Sequence, residues 1–278
     1  MELSVILPIY NRGAQIRADV TRLVSFLESH FSSFEVILVN DGSSDDTAAQ
    51  LGLLHHSAIR VEHLSENRGK FAAIKRGMEL SRGACRIFTD ADLPYDDEAI
   101  CYIYELVLGR GYHVVVGDRT LFESNYNRGV PLRRRIASRA YSHIIRLLLT
   151  GGLNDTQCGI KGFSAAAAQA LFPLVRDNRF AGDIELIYIA LKYNLEIRRI
   201  PVRLRHWNAS TIAFSRDVLP MLYRVVALPI LWRTGEYKSQ ALKELGSQYY
   251  WKTISDGAEG PTEAGRESSH VPNGVQVK

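Results

Sequence analysis

The sequence predicts an α/β fold: a mostly parallel central sheet flanked by helices, with amphipathic helices at the C-terminal end. Three observations carry this. Apolar runs of strand length alternate with segments of helical spacing over the first 120 residues. Each run closes on polar or turn-forming residues. A chain of 278 residues, 46% hydrophobic and 23% charged, has the length and composition for a core on both faces of such a sheet.

The elements follow in order. "LSVILPI" (3–9) is apolar almost throughout, as a strand covered on both faces should be. "IRADVTRLVSFLES" (16–29) places Ile16, Val20, Leu23, Val24 and Leu27 on one helical stripe. "FEVILVN" (34–40) is a second buried strand, and "DGSSDDT" (41–47) offers Ser43, Ser44 and Asp45 as caps for the next helix. That leaves Asp41 free. "AIRVEHL" (58–64) is a third strand, "GKFAAIKRGMELSRG" (69–83) a helix ending at Gly83, and "CRIFTD" (85–90) a fourth strand. A helix at about 97–109 and the strand "HVVVGDR" (113–119) follow. Serial βαβ units make a parallel sheet the economical solution.

Beyond residue 120 the pattern changes. "RGVPLRRRIASR" (128–139) carries five arginines, and 132–152 reads as a basic amphipathic helix. "DTQCGIKGFSA" (155–165) is a turn entering a short strand, "GDIELIYIALKYN" (182–194) a helix, and "LEIRRIPVRL" (195–204) an edge strand. Helices are expected at 218–232 and 239–251, and residues 255–278, rich in Gly, Ser, Pro and Glu, read as a disordered tail. The domains expected are a globular unit over 1–211, amphipathic helices over 212–252, and a tail over 253–278.

Several classes are disfavoured by composition. A net charge of +4 requires no nucleic-acid partner. Three cysteines without metal-site spacing imply neither a disulfide framework nor a zinc site and suit a reducing, cytoplasmic setting. The N-terminus has no signal-peptide pattern, and no apolar run reaches spanning length. The apolar stretch 218–232, with Tyr223, Arg224 and Trp232, has the make-up of an in-plane helix at a membrane face.

In open parallel sheets ligands bind beyond the carboxyl ends of the strands. The strand-end groups are Tyr10-Asn11, Asn40-Asp41, Ser65-Glu66-Asn67, Asp90-Ala91-Asp92 and Asp118-Arg119, and all five should line one edge. Asp90-Ala91-Asp92 sets two hard oxygen donors beside each other, a pattern that suits Mg²⁺ or Mn²⁺ with open positions for phosphate. "NRGK" (67–70) puts Gly69 and Lys70 at a helix N-terminus, which favours an anion.

The blocks "LPIYNR", "VNDGSSDDT", "NRGK", "TDADLPY", "GDR", "DTQCGIKGF" and "FAGDIEL" stand in the order seen in family 2 glycosyltransferases of GT-A fold. Over about residues 3–211 the chain resembles, more narrowly, the polyprenyl-phosphate sugar synthases, the dolichyl-phosphate glucosyl- and mannosyltransferase group. The resemblance implies roles. Pro8, Tyr10 and Asn11 would form the nucleotide pocket with Lys70 and Ala91, and Asp41 would meet the nucleoside. Asp92 would be the principal ligand of Mg²⁺ or Mn²⁺, with Asp90 near base and ribose. Arg119, Arg134 and Ser138 would approach an acceptor phosphate. Asp155 and the acidic pair Asp183 and Glu185 would line the sugar site.

The resemblance thus implies inverting transfer from a nucleotide-sugar donor to a polyprenyl phosphate, dolichyl or undecaprenyl, at the cytoplasmic membrane face. "DTQCG" resembles the glucosyl subgroup, which implies UDP-glucose. A phosphate acceptor needs little general-base help; a hydroxyl acceptor would need Asp155 or Asp183 as base. The competing readings are a soluble glycosyltransferase acting on a saccharide or protein hydroxyl, and a nucleotide-sugar-binding protein without turnover. Two departures stand out. Ala209 and Thr211 replace the Gly and Lys of a Gly-Ser-Lys-like turn, where Arg205 or His206 would compensate. "LPYDD" follows the second aspartate where relatives carry Gly, Ser or Gln, a difference expected to bear on donor sugar.

Overall fold

The structure, a computed structural model, describes residues 1–124, 155–179, 181–205 and 214–247, with side chains of the last segment described from Tyr223 on. Strands β1 (Leu3–Ile9), β2 (Phe34–Asn40), β3 (Ile59–His63), β4 (Cys85–Phe88), β5 (Val114–Asp118), β6 (Lys161–Ser164) and β7 (Ile197–Pro201) form one sheet. Their spatial order is β3-β2-β1-β4-β6-β5-β7. The helices are α1 (Gly13–His30), α2 (Thr47–Gly52), α3 (Lys70–Leu80), α4 (Glu98–Tyr104), α5 (Ala165–Leu171), α6 (Gly182–Lys192) and α7 (Phe214–Arg233). Helix α4 continues as a π-helical turn over Glu105–Gly109, and residues 240–247 are helical.

β1 pairs in parallel with β2 and β4, β2 with β3, and β5 with β7. β6 is the exception: it runs antiparallel to both β4 and β5. The sheet is therefore mostly parallel, as expected, and β7 is an edge strand. Two apolar clusters cover its faces. Val5, Leu7, Ile16, Leu23, Ile87 and Ile103 join α1 and α4 to one face. Ile6, Val39, Phe71, Phe88, Phe163, Ile187 and Leu228 join α3, α5, α6 and α7 to the other. The alternation of Val5 and Leu7 with Ile6 shows why the first strand reads as continuously apolar.

Element ends shift by up to four residues, and the end of α3 changes a residue's role. α3 ends at Leu80, and Ser81 is already extended at φ −72°, ψ 143°. Gly83 is therefore not a helix cap. A Cβ there would lie 2.5 Å from the Ser4 amide nitrogen and 2.7 Å from the Leu3 carbonyl carbon, so glycine serves close passage beside β1.

Candidate functional site

Because β1, β2, β3, β4 and β5 all run the same way, their C-terminal ends meet at one edge, as the strand-end residues predict. The antiparallel β6 adds its N-terminal end to that edge, with Lys161 opposite Phe88. This short reversed strand brings the loop 155–160 to the middle of the site.

At the end of β1, Pro8 is half-buried and Tyr10 is exposed. Asn11 sits in the left-handed region at φ 50°. Its amide donates to Ser43 Oγ at 2.9 Å, and its Oδ1 accepts from the Ser44 amide at 2.9 Å. The two serines thus tie the β1 and β2 loops together instead of capping α2. Asp45 does accept from the Thr47 amide at 3.0 Å, and also from the Gly13 amide at 3.1 Å. Those hydrogen bonds hold its carboxyl below the usual range although burial works the other way.

Asp41 is buried and is not free. Its two carboxylate oxygens accept from the Arg68 amide at 2.8 Å and the Gly69 amide at 2.9 Å. The N-terminus of α3 is likewise committed: the Phe71 and Ala72 amides donate to the Asn178 carbonyl at 2.9 and 3.1 Å. The expectation that this helix start offers open amides to an anion is therefore corrected. Asp41 and Asn178, supplied by neighbouring loops, already take the Arg68, Gly69, Phe71 and Ala72 amides.

Lys70 is the cation left at that point, and it pairs with Asp90. Burial disfavours its ammonium, yet Asp90, Asp183 and Asp92 outweigh that and raise its pKa above the ordinary value. Asp90, Asp92, Asp183 and Lys70 therefore share one electrostatic centre. Ala91 between the two aspartates is buried. Gly159 fits against Asp90: an added Cβ would fall 2.0 Å from Asp90 Oδ2.

Among the described residues no group of three or more His, Cys, Asp or Glu side chains is arranged to hold a metal. What the site offers is a pair of hard carboxylates, Asp90 and Asp92, with one cation already drawn to Asp90. That donor set fits Mg²⁺ or Mn²⁺, ions that use one or two protein carboxylates and take their other oxygens from substrate phosphate and water.

Arg119 and Asp155 are brought together. Arg119 Nε donates to Asp155 Oδ2 at 2.7 Å, Nη2 to Oδ1 at 2.8 Å, and the Arg119 amide to Oδ2 at 3.0 Å. Burial would raise the Asp155 pKa; the guanidinium overrides it and holds the carboxyl below its usual value. Asp183 stands in the first turn of α6, whose N-cap is Ala181, so capping is not its role. It accepts from Lys161 Nζ at 2.6 Å. Glu185 does not face a sugar site. It is buried, accepting from the Arg176 and Asp177 amides at 3.1 and 2.8 Å and from Tyr237 Oη at 2.6 Å.

The "LPYDD" loop is braced from within. Asp97 accepts from Arg22 and from Arg205, the latter at 3.0 Å, and Tyr95 is buried with Gly159 donating to its Oη at 3.4 Å. Arg205, a residue expected to compensate for the missing lysine, is engaged with Asp97 and Asp96. Arg134, Ser138, His206, Ala209 and Thr211 lie outside the described residues. Sequence reasoning missed Lys161, fully buried beneath this edge. Its signal was a lone charge inside the otherwise apolar run "CGIKGF".

An α/β sheet with acidic and basic groups gathered beyond its strand ends has the layout in which such sheets bind ligands. Residues 4–172 match the family model described as Glycosyl transferase family 2, and the chain belongs to that family. Glycosyltransferase AglD of Haloferax volcanii is 32% identical over 225 residues, covering 80% of this chain and 36% of that protein. The dolichyl-phosphate beta-glucosyltransferase of Drosophila melanogaster is 33% identical over 217 residues, 73% of this chain and 67% of that one. The enzyme of that name from Dictyostelium discoideum is 29% identical over 245 residues, 80% and 74%. The chain therefore spans little more than a third of AglD and about seven-tenths of the other two. Glucosyl-3-phosphoglycerate synthase from Mycobacterium tuberculosis, solved with Mn²⁺, UDP and phosphoglyceric acid, shares the fold. Its TM-score is 0.61 at 20% identity, over 84% of this chain and 78% of that one.

Proposed function

We propose that the chain transfers glucose from UDP-glucose to a polyprenyl phosphate, with inversion at the sugar carbon, working as a peripheral protein at a membrane face. In this reading 1–211 is the unit that turns over substrate and 212–252 the helical attachment. Asp92, with Asp90, would hold Mg²⁺ or Mn²⁺, which when bound neutralises the diphosphate leaving group. Tyr10 and Asn11 border the nucleotide side, and Asp41 braces it through the start of α3. Arg134 and Ser138 keep their role at the acceptor phosphate in this proposal.

The observation that carries the reading is the state of the two acids a hydroxyl acceptor would need. Asp155 is clamped by Arg119 with its pKa lowered, and Asp183 is bound to a buried ammonium. A carboxylate held below its usual pKa, as Asp155 is, is a poor proton acceptor, and the Asp183 oxygen that faces Lys161 is already taken by a hydrogen bond. A phosphate acceptor arrives ionised and needs none: its oxygen bonds to the sugar carbon as the bond from that carbon to UDP breaks. The relatives named dolichyl-phosphate beta-glucosyltransferase support the same acceptor class.

The test is incubation of labelled UDP-glucose with polyprenyl phosphate, and separately with soluble saccharides, with and without divalent metal. Label should pass to the organic phase only with polyprenyl phosphate and metal. Water-soluble product alone would replace the lipid reading with a hydroxyl acceptor. UDP binding without transfer would leave a binding protein.

A further inference from the structure

Lys161 is the one lysine whose side chain is fully inaccessible among the largest buried side chains of the described core. It opens β6 between Ile160 and Gly162, in a segment that otherwise packs as apolar core. A buried ammonium is costly unless it is paired, and a well-packed apolar side chain would serve stability at least as well. Its contacts indicate what the charge does there.

Nζ donates to Asp183 Oδ1 at 2.6 Å and to the Cys158 carbonyl at 2.7 Å. It also lies 5.2 Å from the centre of the Phe88 ring. Each partner belongs to a different piece of the site. Asp183 is on α6. Cys158 precedes Gly159, whose Cα lies against the Asp90 carboxylate, in the loop that begins at Asp155. Phe88 ends β4, two residues before Asp90, and is the register partner of Lys161. Asp183 in turn acts on Lys70, and Lys70 pairs with Asp90. Charges thus alternate from Lys161 through Asp183 and Lys70 to Asp90, from the core to the open edge.

We propose that Lys161 is a positioning residue for sugar transfer: from beneath the site it fixes Asp183 and the 155–160 loop relative to Asp90, without touching substrate. The inference rests on the transfer reading above. Interactions in such a network are coupled, so removing Lys161 should act through Asp183 and not independently of it.

The experiment is a double-mutant cycle of Lys161→Met, Asp183→Asn and the pair, read as kcat, as KM for UDP-glucose, as UDP affinity with Mn²⁺, and as Tm. Lys161→Met should lower kcat about tenfold or more while UDP affinity stays within about threefold, because the ammonium does not reach the nucleotide. The pair should be no slower than Asp183→Asn alone. Lys161→Arg, which keeps the charge, should recover part of the loss. The double variant leaves no unpaired buried charge, so it keeps the cycle readable if Lys161→Met folds poorly. Unchanged kcat in Lys161→Met, or losses that simply multiply in the pair, would overturn the inference alone. A wild-type protein that releases no UDP with any acceptor would overturn the transfer reading and this inference with it.

Discussion

Arg119 grips Asp155 with two parallel side-chain hydrogen bonds, at 2.7 and 2.8 Å, and adds its own backbone amide at 3.0 Å. The residues are 36 apart in sequence. Their pairing ties the end of β5 to the loop entering β6 through a half-buried ion pair in which Asp155 is the buried partner. Removing Arg119 leaves the buried Asp155 charge alone and costs about 2–3 kcal/mol, and removing Asp155 somewhat less because Arg119 reaches solvent. Asp155→Asn and Arg119→Met should each destabilise on that scale in urea titrations. A loss below about 0.5 kcal/mol would place the pair among the dispensable surface bridges.

The pH dependence follows from the same pair. The Arg119 guanidinium holds the folded pKa of Asp155 below the ordinary aspartate value. A depressed carboxyl stabilises the fold fully above the unfolded value and loses that contribution as pH falls through the folded one. The Tm gap between wild type and Asp155→Asn should therefore be constant above about pH 5 and narrow below about pH 4. A gap that is unchanged down to pH 2.5 would contradict the direction of the shift.

Asp41 is expected to matter to stability as much as to ligand. It accepts two amide hydrogens on the chain just ahead of α3. Asp41→Ala should cost about 2 kcal/mol and Asp41→Asn, which keeps one acceptor, about 1 kcal/mol. Denaturant midpoints for the two variants give the ratio directly. Equal stabilities would mean that water replaces the carboxylate.

These relationships explain what is legible in the sequence. β1 and β2 read correctly to the residue because strands covered on both faces are apolar runs bounded by polar loops. The shared edge follows from parallel direction, so Asp90, Asp92 and Arg119 could be placed together without contacts. What the sequence hides depends on distant partners. Asp41 looks free because the amides it serves are 27 and 28 residues away. β6 is four residues long, too short for a periodic signal, so its reversal leaves no local trace, and the lone lysine in "CGIKGF" marks the inward turn of Lys161 without showing its partners. Gly83 resembles a helix stop only because the strand it passes is 79 residues upstream.

Asp92 and Gly159 separate two effects at the proposed metal seat. Asp92→Asn removes a carboxylate that is half-buried at the edge and should abolish divalent-dependent UDP release with Tm changed by no more than about 2 °C. Gly159→Ala keeps every carboxylate but puts a methyl where Asp90 Oδ2 now sits. The flexible Asp90 side chain can swing away, so the fold should survive while UDP affinity in Mn²⁺ falls about tenfold. Calorimetry on both variants distinguishes a lost ligand from a displaced one, and full affinity in Gly159→Ala would remove Asp90 from the nucleotide site.

Helix α7 is apolar on two sides. Val225 and Leu228 are buried against the core, with Trp232 against Tyr188 and Tyr193. At 100° per residue Tyr223, Val226 and Ile230 fall on the opposite side, and they are 78%, 53% and 61% exposed. No helix among the described residues is long and apolar enough to cross a membrane. A helix of this kind can lie in the membrane plane, its inner side on the protein and its outer side among acyl chains. Replacing Tyr223, Val226 and Ile230 by serine leaves the inner packing untouched, so Tm should hold. The vesicle partition coefficient read by co-sedimentation with anionic vesicles should fall by about a hundredfold or more, at roughly 1 kcal/mol or above for each buried side chain withdrawn. Turnover of polyprenyl phosphate in vesicles should fall with it, whereas UDP affinity in solution should not. Binding that persists in the triple variant would assign membrane attachment to another surface.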